Sequence, residues 1–435
     1  MKTIGITVIL VASIFLATAF AAPSVGFLAA SPGGPLGPCT VVYSSADFSA
    51  FAVITISSPG TYCFKPGSYD AQIVVDSGGV TLKPAPGTPP GQVVIQPDQL
   101  TALVTDPNSN LPEASIVLVE NAVGVTVQNL VVNGSSVTLQ SCSPIYVGIL
   151  FLSSSGEIYG STVSDVNLHS QSLFGCQSGQ GVLVQTSSNA LSTVSVAANT
   201  VTGYQKNGIT CNDQGTTCYI TGNTVSPLAA AQPYIASNGI QIAFGAGGVV
   251  QGNTVTGNQC GVSVCGPNYV TETQATGVLL FNASPGTMVV GNTVEQNDVG
   301  ILAYQGSGSV SGNLVLNNRF EGMYLSDGTF TVTGNRLSCG NVGIAVVSDG
   351  FTDVPTAVRI NGPAQVPPGP PTPPGPPMPP ATNQFTVAAI QVVAYTGSPN
   401  GGSYAEPVYI TVNGLSEIVT AGSSSSPSFV NIMAF

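Results

Sequence analysis

The stretches TGNTVSPL (221–228), QGNTVTGN (251–258) and VGNTVEQN (290–297) share one core, Gly-Asn-Thr-Val, at 222–225, 252–255 and 291–294. Gly and Asn take left-handed backbone values more readily than other residues, so the pair reads as a corner. Thr-Val favours extended chain, so the corner leads into a strand.

The unit recurs on both sides. Gly followed by apolar residues starts at 148 (GILFLS), 181 (GVLVQT), 208 (GITCND), 239 (GIQIAF), 261 (GVSVCG), 300 (GILAYQ), 322 (GMYLSD) and 343 (GIAVVS). The last three starts are 22 and 21 residues apart, and the earlier gaps of 33, 27, 31, 22 and 39 read as the same unit with insertions. Positions one and three after the glycine are apolar, as in Ile149/Phe151, Val182/Val184, Ile240/Ile242 and Met323/Leu325, whereas the position between is mixed. That alternation is a strand with one face buried. A second short strand enters Gly-Asn (GSVSGN, FTVTGN) and a third leaves it.

Three short strands in one such unit cannot bury their apolar positions against one another. Stacking each unit on the next pairs every strand in parallel, at about 4.8 Å per step, and closes a continuous core. The prediction is an all-β fold, a right-handed parallel β-helix over 46–361 with about 10–12 coils. Asparagines at the corners then stack, each bonding its own turn and the next. The expected ladder is Asn129, Asn167, Asn199, Asn223, Asn253, Asn292, Asn313, Asn335 and Asn361.

Upstream, residues 54–87, GQVVIQ (91–96) and SIVLVENAVGVTVQNLVVNGSS (115–136) resemble the opening coils of pectin-lyase-like β-helices. The Gly-Asn-Thr-Val spacing is similar to the NosD-type β-helix repeat. The resemblance implies a fold and leaves the activity open, because that superfamily holds lyases, hydrolases, epimerases, tailspikes, adhesins and non-catalytic surface proteins.

The ends read differently. Residues 1–21 carry Lys2, an apolar run and Ala19-Phe20-Ala21, the pattern of a secretory signal peptide. Residues 22–45 form an N-terminal extension. Ten prolines among residues 366–380 predict an extended linker over 362–382, since proline cannot donate to a sheet. Residues 383–435 return to β character, as a separate module, as a cap, or as strands that pair between molecules in a filament. In an exported chain the nine cysteines favour disulfides over metal. Nearest neighbours pair as Cys39–Cys63, Cys142–Cys176, Cys211–Cys218 and Cys260–Cys265, leaving Cys339. Asn133 and Asn282 head glycosylation sequons.

Chemistry is sparse. With 19 acids against 7 bases the chain does not suit nucleic acid, and past residue 22 no apolar run is long enough to span a membrane. One histidine, His169, cannot complete a zinc site. A hydrolase needs converging carboxylates, and a lyase needs a cationic base together with calcium, the one cofactor in view. The best gathering is Glu295, Asp298, Arg319 and Glu321, at one corner of neighbouring coils. Binding suits the composition better. Leu302, Tyr304 and Tyr324 point outward on adjacent coils, and aromatic rows are platforms for sugar rings or protein partners. The expectation is a secreted or cell-surface, non-catalytic β-helix that binds glycan or protein, with a polysaccharide lyase or glycoside hydrolase as the alternative and an extracellular filament subunit as a further one.

Overall fold

The computed structural model describes residues 38–48, 51–187, 190–266, 273–339, 342–348, 354–361, 390–394, 408–412, 415–419 and 428–432. Cys39–Phe435 forms one compact unit. Its chain winds through three faces per coil, and each face is a stack of parallel strands. On the first face Pro112–Glu120, Ile145–Leu152, Gln180–Gln185, Asn207–Asn212 and Asn238–Ala243 succeed one another. The second stacks Val123–Gln128, Ser155–Tyr159, Ser192–Ala197, Thr216–Thr221 and Gly247–Gln251. Farther on, Thr276–Val290, Val299–Ser311 and Glu321–Thr333 each run across both faces in one strand. The third face has ten strands among the described residues. This is the parallel β-helix that the repeat predicts.

Every letter of Gly-Asn-Thr-Val has a position. Gly222, Gly252 and Gly291 sit at φ of 63°, 61° and 62°, the left-handed bend into the third face. The asparagine that follows turns inward. Asn253 accepts from the backbone amide and the side-chain Nδ2 of Asn223, at 2.9 Å each, and donates through Nδ2 to Ile220 O and Asn292 Oδ1. The threonine faces out, with Thr200, Thr224 and Thr254 in register and exposed. The valine faces in. Val132, Val163, Val201, Val225, Val255, Val294 and Val315 form one fully buried column. Each contributes about 1.5–3 kcal/mol of burial.

The glycines that start the first face are there for space. A Cβ on Gly148, Gly181, Gly208, Gly239, Gly277 or Gly300 would lie 2.5–2.7 Å from the carbonyl oxygen of the next glycine in the column. Nothing larger fits where consecutive backbones touch. The column also corrects one start. Gly261 is the N-cap of a short helix, Val262–Cys265, and the rung begins at Gly277. The chain between Asn258 and Ala275 is an insertion ahead of that rung.

The ladder comprises Asn199, Asn223, Asn253, Asn292, Asn313 and Asn335. Ser161 continues it upstream, its amide donating to Asn199 Oδ1. Three predicted members stand elsewhere. Asn129 has φ 55° and occupies the bend position that Gly160 holds one coil later. Asn167 caps a turn at another corner, bonding Gly203 O and the His169 amide. Asn361 pairs in register with Thr333, two residues short of the ladder. A second, shorter ladder runs through Asn258, Asn297 and Asn318.

The coil starts earlier than residue 46. Val41–Tyr43 pairs in parallel with Gly60–Phe64, beside the Cys39–Cys63 disulfide. The other three expected disulfides also form. At the far end Ile390–Ala394 and Val408–Val412 extend the first two faces, and Ser428–Ile432 and Leu415–Val419 pair with them antiparallel. The C-terminal strands therefore close the last coil. The segments expected to be a signal peptide and a proline-rich linker, most of the expected N-terminal extension and the Cys339 side chain lie outside the described residues.

Candidate functional site

Of the four residues gathered as catalytic candidates, three meet. Arg319 pairs with Asp298 at 2.8 Å, and Glu321 is close enough for the Asp298 charge to act on its carboxyl. The arrangement is a clamp. Asp298 Oδ2 accepts from the Cys260 amide at 2.7 Å, and the Arg319 guanidinium donates to the Cys260 carbonyl at 2.6 Å while lying over the Phe320 ring. Both polar groups of one residue in the insertion are held to the two coils beyond it. Asp298 and Glu321 are fully buried, whereas the Arg319 side chain is about one-third exposed. Glu295 lies on the third face, in register with Thr256 and Leu316, outside this pair. Arg319→Ala is expected to cost about 1–3 kcal/mol in a denaturant melt, because Asp298 stays buried without its partner. His169 donates from Nε2 to the Gly134 carbonyl at 3.1 Å, a turn contact.

A recess lies elsewhere. Residues 96–111 replace a direct turn between the third and first faces, and Val104–Thr105 pairs antiparallel with Pro112 and Glu113. Val104 packs on the outward leucines Leu118, Leu150 and Leu183. The tip of this hairpin forms a groove of about 900 Å³ with the turns that end Gln180–Gln185 and Asn207–Asn212. Asp106, Asn108, Ser109, Gln185, Thr186, Asp213 and Gln214 line it, with Phe244 at its side.

Two carboxylates face this groove and a third stands behind it. Asp106 is fixed by its own turn, accepting from the Asn108 amide at 2.9 Å and from the Ser109 hydroxyl. Asp213 holds φ 78°, in the left-handed region that Asp tolerates better than most residues. Burial, and then the Asp106 charge, push its carboxyl up to about 6, against hydrogen bonds from Thr186 and Asn108. Glu113 is 1% exposed. Its Oε2 accepts from Gln185 Nε2 at 2.7 Å and its Oε1 has no hydrogen-bond partner. Burial chiefly, then Asp106, raise it to about 8. No Lys, Arg or His lines the groove among the described residues. From its floor, Asn212 Oδ1 accepts from Gln241, whose Oε1 accepts from Asn207 and Asn238.

An aromatic row leaves the groove along the helix axis. Phe244 meets Phe281 at 5.5 Å between ring centroids, and Phe281 stacks on Tyr304 at 5.4 Å. Phe244 is 52% exposed, and the other two are half-buried. Tyr304 thus belongs to a row of rings on consecutive coils. Leu302 and Tyr324 do not extend it, because Tyr324 is buried with Val299, Val342, Ala345 and Val347 and Leu302 packs on that cluster. Of the sequon asparagines, Asn282 is exposed beside Phe281, whereas half-buried Asn133 accepts from the Ser135 amide.

The groove was not among the sequence candidates. Asp106 lies on an insertion that breaks the repeat, Glu113 near the start of the strand that follows it, and Asp213 is 100 residues beyond Glu113. A signal was present: DPNSN (106–110) is turn-forming sequence between two extended runs, the mark of a hairpin. Phe281 was hidden by taking the rung start at Gly261 rather than Gly277.

The family model described as periplasmic copper-binding protein (NosD) matches residues 238–354. No curated protein matches the sequence. Among solved structures, a mutant of the periplasmic alginate epimerase AlgG is 15% identical over 74% of this chain and 72% of its own, with a TM-score of 0.47. A lacto-N-biosidase from Eubacterium ramulus is 11% identical over 71% of this chain and 67% of its own, at 0.44. Tailspike protein 2 of an Escherichia coli bacteriophage is 11% identical over 83% of this chain and 42% of its own, at 0.41. None lends a residue role to the groove. The donors for copper do not fit here either. The chain has one histidine, eight cysteines are in disulfides, and among the described residues no three His, Cys, Asp or Glu side chains gather to hold a metal.

Proposed function

We propose that this chain is an exported glycan-binding β-helix that holds one saccharide chain along its axis. The observation that carries this reading is the continuity of the amide- and hydroxyl-lined groove with the ring row Phe244–Phe281–Tyr304. Polar side chains around a recess recognise hydroxyls, and ring faces take the apolar side of a pyranose. Rungs about 4.8 Å apart present one ring per coil. The four disulfides suit an oxidising compartment, and among the described residues no helix is long and apolar enough to cross a membrane.

Calorimetry with a panel of neutral, amino and uronic oligosaccharides tests it. Phe244→Ala and Phe281→Ala are each expected to weaken binding by about 1 kcal/mol. Full affinity in the double variant would refute the placement. Hydrolysis in the same groove is a second reading, favoured by Glu113, a proton donor at neutral pH next to the more acidic Asp213. Glu113 stands behind Gln185, so proton delivery requires Gln185 to swing aside. New reducing ends that vanish in Glu113→Gln would establish that reading.

A further inference from the structure

Among the described residues, the two carboxylates that line the groove have no cation beside them. Asp106 and Asp213 line it, and Glu113, behind the lining, accepts from Gln185 on its wall. Two oxygens are left over. Asp213 Oδ2 and Glu113 Oε1 are buried and have no hydrogen-bond partner. Glu113 is the more telling, because a carboxyl at 1% exposure with one bare oxygen is costly unless something completes it. The neighbours on every side are neutral: Asn108 and Ser109 from the hairpin, Thr186 and Gln185 from one turn, Gln214 from the other. Asn108 and Thr186 donate to Asp213, Ser109 to Asp106 and Gln185 to Glu113.

A uronic acid brought here would set carboxylate against carboxylate. A neutral sugar would add hydroxyl donors and leave the charge unbalanced. A protonated amine supplies both the charge and three donors. Resting on the saccharide reading above, we propose that the groove selects glycans bearing a free amino group, the de-N-acetylated hexosamine class. The ring row argues for a sugar chain rather than a lysine-rich peptide, since exposed Phe244 and the half-buried rings beside it add apolar aromatic surface beyond the acidic end.

The test is calorimetry on the full chain with three probes at low salt: glucosamine oligosaccharides, their fully N-acetylated counterparts and oligogalacturonate. The free amine is expected to bind at least about tenfold more tightly than the N-acetylated chain, with the uronate weakest. Asp213→Asn should draw the amine-to-acetyl affinity ratio toward one, and Asp106→Asn, on the opposite wall, should do so independently. Equal affinity for the amine and acetyl probes, or a ratio unchanged in both variants, would overturn the amine selection and leave the saccharide reading standing. No binding of any probe would overturn both. Polylysine binding as tightly as the amino sugar, and insensitive to Phe244→Ala, would show that charge alone is read and would also overturn the proposal.

Discussion

Asn253→Ala is expected to lower stability by about 3–5 kcal/mol, measured by denaturant unfolding, with the buried Asn223 amide left unsatisfied. The side chain makes four buried hydrogen bonds that tie three coils together. Asp has nearly the same volume but cannot donate. In Asn253→Asp a carboxylate would face Ile220 O and Asn292 Oδ1, so this variant should be at least as damaged as the alanine. Thr254→Ala, one residue along and exposed, should stay within about 0.5 kcal/mol of the parent. If Asn253→Asp behaved as mildly as Thr254→Ala, the asparagine would be filling space rather than bonding.

Glu321 carries the second large effect. It is fully buried and neither carboxyl oxygen has a hydrogen-bond partner. Burial first, and the Asp298 charge next, raise it from the ordinary 4.5 to about 9. Below pH 4.5 folded and unfolded chains both hold the proton. Between there and about pH 9 only the unfolded chain releases it, so stability falls as pH rises, by about 1.4 kcal/mol per unit for this group. Glu321→Gln removes that slope. Its stability relative to the parent should climb by about 4 kcal/mol between pH 5 and pH 8. The variant keeps some decline of its own, because Glu113 is shifted in the same direction. Parallel profiles for parent and variant would mean that Glu321 ionises freely in the fold.

Much of the architecture was legible in four residues because each answers a local demand. Gly222 bends, Asn223 bonds, Thr224 faces water and Val225 packs, and none depends on what inserts between coils. Position within the corner was harder to read. Asn129 and Asn199 look alike in sequence, yet Asn129 is the bending residue and Asn199 the bonding one. The disulfides were legible, joining nearest neighbours in sequence: Cys39–Cys63 and Cys142–Cys176 across successive coils, and Cys211–Cys218 and Cys260–Cys265 over spans of 7 and 5 residues. The groove was not, since it depends on how a hairpin insertion folds over Leu118, Leu150 and Leu183 and on which two turns it then meets. Insertions lie outside the repeat that makes the rest readable. Of the charged candidates, Asp298, Arg319 and Glu321 come together at one corner and Glu295 does not, and Asp298 and Arg319 reach the Cys260 backbone.

A crystal structure with the tightest-binding oligosaccharide of the panel tests the central claim most directly. The account predicts a sugar chain running parallel to the helix axis, with successive rings over Phe244, Phe281 and Tyr304 and one end beside Asp213. A chain bound across the strands, or seated away from that row, would contradict it.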